Sequence, residues 1–371
     1  MDKTRLLKTL DRLTGKIIAR WLPAATVVSP EDLAARHLKN ILIIRPGGMG
    51  DAVLLLPSLR ALKERRPDTE ITVLAEKRNQ AVFAMVPWVK RTVCYDRPAQ
   101  FLRLLGCSFD LVIDTEQWHL LAVIIARLLA KGSPVMGFQT NPERKRLLHL
   151  SLPYPQDAWE ADSFARLFSP VIGRAVSMGL PFLQAPAKAR QQAGLLTATV
   201  ATPFISLFPG ASIAARRWGE KRFRAVVRQA AARKIGVVVI GGRQEKELGD
   251  RIITGISGAV NLASRTSLAE TAAVISESAL LLSGDSGVLH LAVALAKPTV
   301  SIFGPSSPEK WAPRGAHHLV LRSVHSCAPC MRYGSMPSCP DRVRCLNDVT
   351  VDQVTAAVFS LLHQANKLID I

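Results

Sequence analysis

A single carboxylate, Asp51, closes the glycine-rich turn PGGMGD at residues 46–51, between an apolar run that stops at Arg45 and another that begins at Ala52. The turn lacks the G-K-[ST] of a phosphate-binding P-loop, and its glycines do not follow the G-x-G-x-x-G spacing of a dinucleotide fingerprint. An acid at its end would repel an anionic ligand, so this turn is not expected to cradle phosphate itself. Two roles fit Asp51. It caps the helix that follows, where the dipole stabilises negative charge, or it stands ionised at a ligand cleft as a general base.

The second half of the chain carries residues suited to a diphosphate. In GDSGVLHLA (284–292), Asp285, Ser286 and Gly287 lie directly before an apolar helical run. Ser286 is placed to cap that helix, and its first free N–H groups, approached over Gly287, form an anion site. His290 follows about one turn later, as a ligand-binding group or as an ordinary core histidine. In FPGASIAARRWGEKRF (208–223) a glycine loop leads to Arg216, Arg217, Lys221 and Arg222, with Arg224 just beyond. Cations at a helix start oppose its dipole. Arg216 or Arg217 is therefore expected to pair with a phosphate through its planar fork, and the remainder to face solvent. GGRQEKEL (241–248) ends a strand and presents Glu245 and Glu247, one of them placed to accept ribose hydroxyls. Such loops gathered in one domain point to a nucleotide.

These loops need elements to hold them. Residues 40–45, 70–76, 91–96 and 109–115 read as buried strands, with helices after the first, where Pro57 is expected to introduce a kink, and over 119–130. Apolar strands separated by helices of this length imply parallel strands in right-handed βαβ units. The second half repeats the pattern from residue 202 onward. The predicted fold class is α/β, with two Rossmann-like doubly wound domains facing a central ligand cleft. The expected boundaries are an N-terminal extension over 1–39, a first domain over 40–185, a second over 186–355 with a cysteine-containing loop at 327–345, and a C-terminal helix over 356–371. Within the extension, Leu6, Leu10, Leu13 and Ile17 recur at helical spacing among basic residues, so 1–22 reads as a helix that lies on an anionic membrane or on the protein's own body. PAATVVSPED reads as a linker.

The formal net charge is +19 and the pI about 10.2, with the basic excess spread through both halves. That field favours polyanionic partners. With aromatic residues at 6% and no stacking motif beside the basic clusters, nucleic acid is excluded as a partner. The longest apolar run, 120–130, is too short to span a membrane, and the N-terminus lacks a signal-peptide core, so the chain is expected in the cytoplasm. Disulfides are then not expected. Cys327, Cys330, Cys339 and Cys345 have a C-x2-C-x8-C-x5-C spacing that suits zinc, a reading ranked below reduced thiols in a loop. No cofactor is expected.

The segments ILIIRPGGMGDAVLLLPSLRALK, LFPGAS…RRW, VVVIGG, SGDSGVLHLAVALAKPTVSIFGPSSPEKW and CAPC…C…C, in that order from about residue 40 to 355, resemble glycosyltransferase family 9, the ADP-heptose–lipopolysaccharide heptosyltransferases and their relatives. The resemblance implies a GT-B fold and an inverting, metal-independent transfer by a cytoplasmic enzyme at the inner face of the inner membrane. It implies that Asp51 is the catalytic base and DSGVLH the diphosphate loop. Arg216 falls where the family usually has lysine, and Glu245 or Glu247 near the ribose-binding acid. The donor would be an ADP-sugar and the acceptor an anionic glycolipid, held by basic residues of the first domain such as Arg97, Arg103, Arg144, Lys145 and Arg146. After VIDT this chain reads EQWHLL where the family often has Gln-Gly, which bears on the acceptor. The alternatives are transfer from another nucleotide sugar to O-antigen or another glycan, and a GT-B sugar-nucleotide epimerase.

Overall fold

Apolar β-branched runs pair edge to edge, and the helices between them cover the faces that would otherwise meet water. The computed structural model describes residues 11–331, 336–339 and 341–369. The chain divides into two units, one ending at Gly179 and the other beginning at Leu180, each built on its own parallel sheet.

In the first unit, β1 (Asn40–Arg45), β2 (Glu70–Ala75), β3 (Val89–Cys94), β4 (Leu111–Asp114), β5 (Val135–Phe138) and β6 (Leu150–Leu152) form a sheet of order β3-β2-β1-β4-β5-β6. The register Ile44↔Leu74 and Leu42↔Val112 sets one side of the central strands against one core. That core takes in Leu42, Ile44, Leu74 and Val112, together with Ala19, Leu104, Val123, Leu129 and Leu147 from the helices Lys16–Trp21, Pro98–Leu105, Leu120–Ala130 and Pro142–Leu147. The helix Met49–Arg65 runs unbroken through Pro57 and packs against Glu160–Ile172.

The second unit repeats the plan with β7 (Phe204–Phe208), β8 (Gly236–Val239), β9 (Ala259–Asn261), β10 (Leu280–Gly284), β11 (Thr299–Phe303) and β12 (His318–Arg322), ordered β12-β11-β10-β7-β8-β9. Trp218, Phe223 and Val226 from the start of the helix Glu220–Ala232 and its approach pack on Ile205, Leu207, Val237 and Leu282. The Trp218 indole N–H donates to the Val349 carbonyl at 2.9 Å, so this ring buries its apolar body without orphaning its polar edge.

Several expectations are revised. Residues 1–10 of the predicted N-terminal helix lie outside the described residues. The rest is a π-helical turn, Asp11–Gly15, followed by Lys16–Trp21. The segment read as a linker is tied down, with Ala25 N–H donating to Arg146 and Val28 N–H to His149, and its end forms the helix Pro30–Ala35. The unit boundary falls before residue 185 because Phe182 and Leu183 are buried and both donate to the Ala294 carbonyl of the second unit. The C-terminal helix begins at Val351 and belongs to the second core through Val354, Val358 and Leu361. No helix among the described residues is long and apolar enough to cross a membrane.

In each sheet the chain reverses direction once, between β1 and β4 and between β7 and β10. Loops leaving the carboxyl ends of such a strand pair diverge to opposite faces and open a crevice. Those two strand pairs position the candidate groups.

Candidate active site

At the carboxyl end of β1 the chain turns through Gly47, at φ +103°, into a helix capped at Gly48, so that Asp51 is its third residue. A Cβ on Gly48 would lie 3.0 Å from Asp51 Oδ2, so the absence of a side chain there lets the carboxylate fold back on the turn. The turn is held from the loop after β2, where the Asn79 amide donates to the Arg45 and Gly47 carbonyls and Glu76 accepts the Gly47 N–H. Asp51 is half-buried.

Behind Asp51 stands a cation. Arg45 is 2% exposed; its Nη1 donates to the Thr115 carbonyl at 3.0 Å, and its Nη2 lies 3.6 Å from Glu116 Oε2. Burial alone would lower its pKa, but Asp51 first and then Glu116 outweigh this and raise it. Burial would likewise raise Glu116, yet Arg45 holds it below the ordinary carboxylate range. The same pocket continues through Glu160, fully buried, which accepts from the Gln117 amide at 2.5 Å and from the Tyr154 hydroxyl at 2.7 Å. Burial, Glu160 and, more weakly, Asp51 push the Tyr154 phenol upward, keeping it protonated.

The second unit gathers its groups at the ends of β7, β8 and β10. Ser286 caps the helix Gly287–Ala294, accepting the Leu289 N–H at 3.3 Å. Asp285 is 5% exposed and accepts from Arg216 Nη1 at 2.9 Å, which links the β10 loop to the β7 loop. The buried Nε of Arg216 finds no acceptor among the described residues. Glu245 closes over the same loop: a Cβ on Gly210 would lie 2.4 Å from its Oε1, and it accepts the Gly242 N–H at 2.9 Å.

Placement separates the expected site residues. Asp285, Ser286, Gly287, Arg216 and Glu245 come together at the β7/β10 crevice. Arg217 is turned aside, its Nε and Nη2 both donating to the Ala211 carbonyl, so it shapes the loop. Glu247 is exposed two residues further on, beside Arg251, which leaves Glu245 as the acid at the strand end. His290 is 3% exposed with its ring 6.3 Å from that of Trp311, inside the unit.

Among the acceptor candidates, Arg144 requires correction. Its guanidinium is fully buried and bonds the Asp114 carboxylate and the Phe138, His119 and Glu116 carbonyls, so it braces the loop after β4 and has no free face for a ligand. Arg146 donates to the Leu22 and Ala19 carbonyls, fastening the N-terminal helix. Arg103 is also misplaced. The helix after β3 returns along the sheet, and Arg103 ends up beside Cys107, whose thiol meets Arg91 near the start of β3, at the opposite edge from Asp51. Arg97, which precedes the helix Pro98–Leu105, and Lys145, on the helix Pro142–Leu147, remain exposed. The cysteines are all free thiols. Among the described residues, the ligand atoms that converge within 4.8 Å there are those of His325, Cys327 and Asp341, a different set from the four thiols suggested by spacing.

Arg45, Gln117, Tyr154 and Glu160 escaped the sequence reading. Arg45 left a trace as the charge that ends an apolar strand, and Glu116–Gln117 as a departure from the family pattern. Tyr154 and Glu160 left none, because only folding brings them to β1.

Two doubly wound sheets with polar loops at both switch points define a GT-B fold. The family model for glycosyltransferase family 9 (heptosyltransferase) matches residues 99–339, and the chain belongs to that family. Lipooligosaccharide heptosyltransferase 2 of Haemophilus ducreyi is 24% identical over 87% of this chain and 99% of its own. The solved ADP-heptose lipopolysaccharide heptosyltransferase II of E. coli superposes with a TM-score of 0.72 at 21% identity, over 88% of this chain and 99% of that one. E. coli heptosyltransferase WaaC with ADP gives 0.67 at 19%, over 87% and 99%. The protein is thus a glycosyltransferase.

Proposed function

We propose that the protein transfers a heptose from an ADP-activated donor to a lipopolysaccharide core or a related anionic glycolipid, with inversion at the anomeric carbon, on the cytoplasmic side of a membrane. The observation that carries this reading is the Arg216–Asp285–Ser286 grouping at the β7/β10 crevice. The Arg216 side chain keeps 18% of its surface exposed beside the amides of the Ser286-capped helix, and a diphosphate would be held there. Relatives solved with ADP, or named for ADP-heptose, support the choice of donor.

In the step itself Asp51 accepts the proton of an acceptor hydroxyl while its oxygen attacks the anomeric carbon. The bond from that carbon to the diphosphate oxygen breaks from the opposite face, and ADP leaves with the electron pair. Charge on the departing phosphate is taken by Arg216 and by the amides that open the Ser286-capped helix, where the dipole favours an anion. Glu245 accepts the ribose hydroxyls in this reading, as acids at strand ends do in dinucleotide folds. The reaction requires Asp51 and the donor to meet in one complex. Arg45 positions Asp51 as a buried cation facing an anion.

The test is Asp51→Asn. Turnover should fall by about 10²–10⁴-fold, the usual worth of a general base, while ADP titration stays within about twofold. Turnover equal to the parent's would remove Asp51 from the chemistry, and a large loss of ADP affinity would reassign it to donor binding.

A further inference from the structure

We propose that the outer face of the N-terminal helical segment, with the outer faces of two helices in the same layer, docks on an anionic lipid bilayer. The observation is an inverted helix. An amphipathic helix on a globular body ordinarily turns its large apolar side chains inward. Here the segment Asp11–Trp21 is packed through its small residues: Ala19 is fully buried in the first core, and Gly15 approaches Leu120 so closely that a Cβ would lie 3.1 Å from it. The large residues point away. Leu13, Ile17 and Trp21 recur every four residues and are 60%, 59% and 86% exposed.

The layer continues the feature. Leu102, Leu105 and Leu128 are exposed on the helices Pro98–Leu105 and Leu120–Ala130, which bury Leu104 and Leu129 in that same core. Eight of the eleven large apolar side chains exposed among the described residues belong to residues 13–128 of the first unit. Such a concentration marks an interaction surface rather than scattered exposure.

Charge selects the occupant. Lys16 and Arg20 are exposed on the segment itself, and Arg103 lies between Leu102 and Leu105. A second copy of a chain of charge +19 is repelled by that field, whereas acidic headgroups complement it. Trp21 suits the boundary, since an indole ring favours the level of the headgroups. Apolar side chains flanked by cations give a shallow, salt-sensitive attachment, which leaves the sheet loops free in water.

The experiment is sedimentation of the full chain with vesicles of phosphatidylcholine containing about one third phosphatidylglycerol, against pure phosphatidylcholine, at low and high salt. The parent should sediment with the acidic vesicles, lose this at high salt, and ignore the neutral ones. Ile17→Glu combined with Trp21→Glu should lower the bound fraction by about tenfold, as expected when apolar insertion is removed and anionic repulsion added. Leu195→Glu, an exposed apolar site on the second unit, should change nothing. Equal sedimentation of the double variant and the parent overturns the proposal, as does a parent that ignores acidic vesicles. Parent dimers in light scattering that the double variant abolishes would assign the face to a second copy. If the double variant loses its circular-dichroism signal, Trp21→Ser gives the same readout at a position with little to unfold. Transfer to a water-soluble acceptor fragment should be unaffected by these changes. Failure of the parent in that assay counts against the proposed chemistry and leaves the docking face standing.

Discussion

Arg216 makes one charge-assisted bond to Asp285 and keeps 18% of its side chain exposed, which holds the residue in order before its ligand arrives. Charge-assisted bonds of this kind are worth about 1.5–3 kcal/mol, so Arg216→Ala should weaken ADP binding by roughly tenfold to a hundredfold in calorimetric titration. Arg216→Lys should recover part of it, since a point charge replaces the fork. Unchanged titration by the alanine variant would exclude Arg216 from the donor site. Arg144 tests the opposite case, a cation with purely internal duties. Removing it strands Asp114, fully buried and already pushed upward by burial against the pull of Arg144. Arg144→Met should cost about 3–5 kcal/mol in urea unfolding, the range for breaking a buried pair. Adding Asp114→Asn should restore much of it. A single variant as stable as the parent would show the pair to be dispensable.

At the level of elements, two histidines tie edges to their sheets while neutral. His149 Nδ1 accepts the Val135 N–H at 3.0 Å, joining β5 to the start of β6, and burial and then Arg127 push its pKa down to about 4. His318 on β12 lies 3.0 Å from the Thr299 hydroxyl of β11, and burial and then His317 push it likewise to about 4. Unfolded histidine titrates near 6.5, so between about pH 6.5 and 4 the unfolded chain binds more protons than the folded one. Their stabilising effect is therefore complete above pH 6.5 and is lost as pH falls toward 4. The melting temperature should decline across that window, and His149→Gln should flatten the decline while lowering stability at neutral pH. An identical slope in the variant would acquit His149.

On the scale of the molecule, the candidates for donor and acceptor chemistry are divided between two sheets, each with its own core. All the candidate donor groups lie in the second unit, whose core includes the C-terminal helix. A fragment spanning 180–371 should fold and bind ADP within about tenfold of the full chain, roughly 1.4 kcal/mol, and should transfer nothing because Asp51 is absent. A folded fragment blind to ADP would place part of the donor site elsewhere.

The sequence by itself determined the pattern of both sheets, the glycine turn that carries Asp51 and the Ser286 cap, because periodicity, turn residues and caps are local properties. It did not disclose β5, β6, β9 and β12, strands of three to five residues toward the sheet edges, whose pairing partner supplies what their own run is too short to signal. Nor did it separate Arg144 from Lys145, or Glu245 from Glu247: neighbours in the chain, alike in type, told apart only by which side of a helix meets the body of the unit. Burial and partner choice are relations between distant residues. Only the tertiary structure set Arg45 against Asp51 and Glu116, brought Tyr154 to Glu160, and turned Leu13, Ile17 and Trp21 toward solvent.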